Sequence, residues 1–205
     1  GVANFSSRDP YIPVFEENPS SMVIELFAKG IHRTPIINKE NKVEAIISQT
    51  SVLHALKEAL PVGELKHVAE KSLKDLGLGA APPVTVNIND TCLTALGKLS
   101  LGGFSAVAVV DDEGVLKANF SASDLRGMYR EHFPSFLKSV GDFLEEHSPE
   151  SLKPKVVQGN PDFKTVVDQL ADERLHRVWV VDDDMKVTGL VSLTDVMKII
   201  CNYRS

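Results

Sequence analysis

The sequence predicts an α/β fold of the α+β kind, built from tandem β-α-β-β-α units. Three observations predict it. First, a stretch near the end, LHRVWVVDDDMKVTGLVSLTDVMKI (175–199), reads as a buried strand over Val178–Val181, an acidic turn at Asp182–Asp184 and a second strand over Thr188–Val191. A helix then opens at Ser192 with Asp195 in its first turn. Second, this stretch recurs twice upstream. Ser192 and Asp195 fall on Ser121 and Asp124 at a shift of 71 residues, and Ser121 falls on Ser48 at a shift of 73. Third, ahead of each copy lies a helical apolar pattern, itself preceded by a short strand.

Taken in order, residues 1–9 are polar and unpatterned. Asn4-Phe5-Ser6 through Asp9 echoes Asn119-Phe120-Ser121 through Asp124, but Pro10 follows at once, so the echo reads as chance. The first repeat spans 10–60. It has a strand over Ile12–Phe15, a helix carrying Val23, Leu26 and Phe27 with Ser20 or Ser21 as its cap, the strand pair IHRTPIINKENKVEAII, and a closing helix from Ser48. Pro61 and Gly63 break that helix. Residues 61–79 form a connector, helical over Glu64–Leu76 and closed by Gly77 and Gly79. The second repeat, 80–133, opens with a strand over Val84–Asn87 and a helix carrying Leu93, Leu96 and Leu99. Residues 134–151 read as a linker whose helix, Pro134–His147, has Phe136, Leu137, Val140, Phe143 and Leu144 on one face. The third repeat, 152–203, opens with Lys155–Val157 and a helix carrying Phe163, Val166, Val167 and Leu170.

With 205 residues and 43% hydrophobic content the chain can bury a proper core. A net charge of −6 argues against nonspecific nucleic-acid binding, which depends on neutralising phosphates with basic side chains. Cys92 and Cys201 are too few for a disulfide framework and too far apart for a zinc pattern, which points to a reducing setting, cytoplasmic or nuclear. No apolar run approaches the roughly 18 residues a membrane-spanning helix needs, and no membrane partner is expected.

Two recurring features carry chemistry. Ser-x-x-Asp opens the last helix of two repeats, as Ser121/Asp124 and Ser192/Asp195. The free amides of a first helical turn attract anions. The serine hydroxyl can contact phosphate or sugar, and the two carboxylate oxygens can accept both hydroxyls of a ribose. The same residues also suit an N-cap and its N3 partner. The second feature is a basic pair ahead of the second strand, His32-Arg33 and His176-Arg177, with Ser105-Ala106 at the aligned place in the middle repeat. There Arg suits bidentate phosphate contact, or else is simply a solvated strand flank.

These residues carry a family resemblance. The repeated unit, with an end such as Gly189-Leu190-Val191-Ser192-Leu193-Thr194-Asp195, resembles the cystathionine β-synthase (CBS) domain. More narrowly, GIHRTPII, FSAVAVVDDEG and HRVWVVDDDMKVTGLVSLTDVM are similar to the second, third and fourth repeats of the gamma subunits of AMP-activated protein kinase, and EKSLKDLGLG to the connector between the second and third. The resemblance implies tandem CBS domains pairing as Bateman modules. It also implies a non-catalytic regulatory subunit that binds AMP, ADP or ATP in clefts between repeats, with no cofactor beyond that ligand, and signals energy state to kinase subunits of the alpha and beta type.

Carried over by motif, the resemblance implies that Asp124 and Asp195 hold ribose and that Ser121 and Ser192 lie near phosphate or sugar. His32, Arg33, His176 and Arg177 face phosphates, and Val84, Thr85, Val156 and Val157 flank the adenine. Ser51 stands where the first copy would carry its ribose acid, as in the family's second repeat, so that site is expected to be empty. The family has four repeats and this chain shows three. Residues 10–60 are therefore expected to expose an apolar sheet and helix face, and to pack on a second copy of the chain or on a missing partner repeat.

Catalysis finds no motif. Histidines 32, 54, 67, 132, 147 and 176 show no metal spacing, and neither a glycine-rich phosphate loop nor a nucleophile elbow is present. Trp179 reads as core, and the acidic turns at Asp111-Asp112 and Asp182–Asp184 read as turns. The alternative to a nucleotide sensor is a scaffold of degenerate CBS folds that only mediates association.

Overall fold

The computed structural model describes residues 10–204; the echo at Asn4–Asp9 lies outside them. The three copies appear as three small sheets, ordered β1-β2-β3, β4-β5-β6 and β7-β8-β9. The first comprises β1 (Val14–Phe15), β2 (Arg33–Ile37) and β3 (Val43–Ser48), with helices α1 (Ser20–Ala28) and α2 (Gln49–Ala59). After α3 (Lys66–Ala69) come β4 (Thr85–Asn87), α4 (Cys92–Gly102), β5 (Ala106–Val110), β6 (Leu116–Ser121) and α5 (Val140–His147). The third copy has β7 (Val156–Gln158), α6 (Phe163–Asp172), β8 (Arg177–Val181), β9 (Val187–Ser192) and α7 (Leu193–Arg204). The first strand pairs parallel to the second in every copy, across the intervening helix, as a β-α-β crossover requires.

The hairpin turns share one device. The Oδ1 of Asn38, Asp111 and Asp182 accepts the N–H groups two and four residues on: Glu40 and Lys42, Glu113 and Val115, Asp184 and Lys186. Each turn closes through a left-handed residue, Asn41, Gly114 or Met185. The leading carboxylates of the acidic turns are thus turn acceptors, as Asx geometry favours.

Several local expectations are corrected. Pro19 occupies the N-cap of α1, and neither Ser20 nor Ser21 caps it. The connector is helical only over Gly63–Leu65 and Lys66–Ala69, because its remaining residues pair elsewhere: Phe163 donates to Lys71 O and Leu73 donates to Pro161 O. The middle copy lacks a long closing helix. Ser121 is followed by a single 3-10 turn, Ala122–Leu125, then Gly127 at φ 77°, then a 3-10 run, Arg130–Leu137, that contains Pro134. The expected linker helix starts only at Val140, and it is not a linker. Val140, Phe143 and Leu144 are fully buried against Val86, Leu99, Val107, Val109 and Phe120. Cys92 donates to Lys138 O, and Val140 to Asp90 O, tying α5 to the start of α4. So α5 supplies the helical layer that the short turn after Ser121 cannot.

The chain divides into two compact units. Among the described residues, unit 1 takes 10–77, Pro161–Arg177 and 191–204; unit 2 takes Leu78–Asn160 and Val178–Leu190. In unit 1, α1 packs along α7, and α2 against α6 and α7. Phe27, Leu53, Leu60, Val166, Leu170, Met197 and Ile200 are fully buried there, and Lys57 reaches Asp172 at 2.5 Å. The helix face of the first repeat, expected to be open, is therefore covered from within the chain. Its sheet face is open, with Val43 57% and Ile46 67% exposed.

In unit 2, Ala108 and Leu116 of the second sheet meet Trp179 and Val181 of the third, joined by Val187 and Leu190. A backbone bond from Leu116 to Met185 O reinforces the contact. Trp179, 2% exposed, is core.

Candidate functional site

Each repeat builds the same joint at one end of its sheet. The residue after the motif serine donates its N–H to the carbonyl of the residue ahead of the second strand: Gln49 to His32 at 3.0 Å, Ala122 to Ser105 at 3.3 Å and Leu193 to His176 at 3.1 Å. Across the antiparallel pairs Arg33 faces Ser48 and Ala106 faces Ser121. The basic pair and the Ser-x-x-Asp motif therefore share an edge, a juxtaposition that sequence spacing alone leaves open.

Unit 1 holds His32, Arg33, His176, Arg177, Ser192 and Asp195. His32, Arg33 and His176 are exposed and Arg177 is half-buried. Gln49, 4% exposed, spends both side-chain protons, on Phe27 O at 3.1 Å and on Thr194 Oγ1 at 3.0 Å. It thereby ties the first turn of α2 to the first turn of α7. Each of those turns is one backbone bond from a His-Arg pair. Two helix N-termini, each with positive partial charge, and two basic pairs converge on one end of unit 1, an arrangement suited to an anion.

The motif itself differs among the copies. At Asp195, Oδ2 accepts the Ser192 N–H at 3.0 Å and its hydroxyl at 2.6 Å, while Oδ1 faces the exposed Lys198 ammonium, 3.6 Å away. This side chain is 30% exposed. In the first repeat Ser51 replaces the acid, and its hydroxyl lies 3.0 Å from that of Ser48.

Unit 2 holds Ser121, Asp124, Val84, Thr85, Val156 and Val157. Asp124 is 7% exposed. Its Oδ2 accepts the Ser121 N–H at 2.7 Å and hydroxyl at 2.9 Å, and its Oδ1 accepts the Ser151 hydroxyl at 2.5 Å. The two expected ribose carboxylates are therefore not equivalent. Burial, and then the charge of Asp124, push the Cys92 thiol up to about 12, so it stays protonated. Of the residues expected to flank adenine, Val84 is exposed, Thr85 and Val156 are half-buried, and Val157 is buried. Val156 also joins the sheet-to-sheet cluster around Trp179.

A cavity of about 130 Å³ beside Phe15, Glu16, Ile37 and Asn38 lies at the turn end of the first sheet. It is smaller than the several hundred cubic ångströms of typical ligand pockets.

Gln49 and Ser151 were missed in the sequence. Gln49 left a signal: it is a long polar residue where Ala122 and Leu193 stand in the other copies. Ser151 left none, since its bond to Asp124 joins residues from different segments.

Comparison with known proteins agrees with this architecture. The family model for the CBS domain matches residues 2–58, 73–131 and 150–202. Protein SDS23 of Kluyveromyces lactis is 23% identical, over 100% of this chain and 46% of its own length. The 5'-AMP-activated protein kinase subunit gamma of the same yeast is 24% identical, over 98% of this chain and 62% of its own. The chain thus spans about half to three fifths of these relatives.

Among solved structures, protein MJ1225 of Methanocaldococcus jannaschii superposes with a TM-score of 0.71 at 20% identity, over 93% of this chain and 67% of that one. The CBS domain pair of protein MJ0100, in complex with 5'-methylthioadenosine and S-adenosyl-L-methionine, gives 0.51 at 20% identity, over 64% of this chain and 97% of that one. With its three repeats matched by the family model, and each built as a three-stranded sheet with helices, the chain belongs to the CBS domain family.

Proposed function

We propose that the chain is a non-catalytic regulatory module that binds an adenine nucleotide (AMP, ADP or ATP) in unit 1. The reading is carried by the Gln49–Thr194 bond, which brings two helix starts and two basic pairs to one end. His32, Arg33, His176 and Arg177 take the phosphates there. Ser192 and Asp195 take the ribose, with Asp195 Oδ1 as the acceptor its hydroxyls reach. Val84, Thr85, Val156 and Val157, expected to flank adenine, lie in unit 2 and take no part in this site. The adenosyl ligands of the MJ0100 pair support the ligand class.

The gamma-subunit likeness over nearly the whole chain supports a kinase complex, with alpha- and beta-type subunits, as the partner that reads occupancy. Such a signal requires the nucleotide to bind the two states of the complex unequally. The open sheet face around Val43 and Ile46 supports a further contact, with another copy of the chain or another repeat. Light scattering of the pure chain tests that contact, and a monodisperse monomer would count against self-association.

Calorimetric titration with AMP, ADP and ATP tests the nucleotide reading. Saturable binding is expected, weakened at least tenfold in Asp195→Ala, since a charge-assisted hydrogen bond contributes about 1.5–3 kcal/mol. No heat with any of the three, from a chain that melts cooperatively, would overturn it. That outcome would favour the scaffold reading, to which the closed capping box at Ser121 and Asp124 already lends one observation.

A further inference from the structure

We infer that Ser151 shuts the ribose position of the middle repeat, its hydroxyl occupying the Asp124 oxygen that a sugar hydroxyl would need. The inference rests on the ribose role proposed above for Asp195. Both aspartates use Oδ2 in the same way, on the N–H and hydroxyl of the serine three residues earlier. They differ at Oδ1. For Asp195 that oxygen meets the ammonium of Lys198 at 3.6 Å, at the end of a long, solvent-exposed side chain that can swing aside. For Asp124 it accepts the Ser151 hydroxyl at 2.5 Å, and the residue is 7% exposed.

A serine hydroxyl and a ribose hydroxyl are the same donor to a carboxylate, so the two compete for one acceptor. Ser151 competes from a fixed position. It lies in the 3-10 turn Pro149–Leu152, which packs on α5 and β6. Its own N–H is held by Ser148 O at 2.9 Å, and the neighbouring Leu152 packs against the core of the middle repeat. A tethered donor of this kind acts at a high effective concentration, and a free sugar must open the turn to displace it. With Ser51 replacing the acid in the first repeat, one open ribose carboxylate is left among the three motif positions of the described residues.

Titration with AMP tests this in the full chain. Wild type is expected to bind one equivalent and Ser151→Ala two. The added site should vanish in the double variant Ser151→Ala/Asp124→Asn and stay closed in Ser151→Thr, which restores a hydroxyl. A merely structural role for Ser151 would change the melting temperature without changing stoichiometry. An independent arm needs no change at Ser151. In the wild-type background Asp124→Asn should leave AMP affinity within twofold, whereas Asp195→Asn should weaken it at least tenfold.

Two equivalents in wild type, one in a folded Ser151→Ala, or a tenfold loss from Asp124→Asn alone would each overturn the lock. If at the same time one site is retained and depends on Asp195, the nucleotide reading survives. No AMP binding by wild type or by Ser151→Ala overturns both.

Discussion

Gln49 Nε2 donates to Thr194 Oγ1 at 3.0 Å, so a buried amide of the first repeat holds the first turn of the third repeat's last helix. The same nitrogen donates to Phe27 O, and the backbone of Gln49 donates to His32 O. One residue therefore ties α1, the entry to β2, α2 and α7 together within unit 1.

Replacing it with leucine keeps the volume but takes a buried donor from the Thr194 hydroxyl and from Phe27 O, which still accepts the Gly30 N–H at 3.1 Å. Losing buried partners costs about 1–3 kcal/mol. Urea denaturation of Gln49→Leu should show a lower midpoint at unchanged slope. A midpoint equal to wild type would mean that the amide is dispensable.

The standing of α5 gives a second prediction. Phe143 is fully buried and meets the Phe120 ring edge-on, with centroids 6.0 Å apart. Phe143→Ala should cost about 3–5 kcal/mol, as for large aromatic truncations in a core. Phe133→Ala, at a position 60% exposed, should stay within about 0.5 kcal/mol. A linker helix would show no such contrast between the two melting temperatures.

The repeat and its sheets were legible because each copy carries its own period-2 apolar strands and turn residues, which act locally. The reading of Trp179 as core and of Asp182 as a turn residue follows from the same local patterns. The role of α5 was not legible. An apolar face on Phe136–Leu144 reports that the helix is buried but not against what, and Pro134 and Gly127 decided where the preceding chain would stop being helical. The difference between Asp124 and Asp195 was hidden for another reason. Their local motifs match, and the residue that separates them, Ser151, acts through space.

A third prediction concerns Gly189. In unit 2 a Cβ built on it would lie 1.8 Å from the carbonyl oxygen of Gly79, so the connector crosses β9 in direct backbone contact. That oxygen is main chain and cannot swing away. Gly189→Ala should therefore destabilise unit 2 by about 1–3 kcal/mol, the range for overpacking. Gly79→Ala should also be costly, because Gly79 has φ 67° and its Cβ would meet Val180 Cγ2 at 2.8 Å. The aligned positions already carry alanine, Ala45 and Ala118, so Ala118→Gly makes a useful control. It should lose a buried methyl without any backbone displacement, and amide exchange along β9 should stay as in wild type.

The open sheet face gives a pH dependence of defined sign. The carboxyl of Glu44 is held above the ordinary glutamate range, first by its hydrogen bond with Glu16, then by that neighbour's charge, with slight burial adding to both. A carboxyl whose folded pKa is raised binds its proton more tightly in the folded chain. Its contribution is therefore fully present below the unfolded value and is lost as pH rises through the folded value. The melting temperature of the wild type should consequently gain on that of Glu44→Gln as pH falls from 7 toward the ordinary glutamate range, while at pH 7 the variant should melt higher. Both residues are solvent-exposed, so the gap should narrow in high salt. A constant gap across the range would place the two carboxyls too far apart to share a proton.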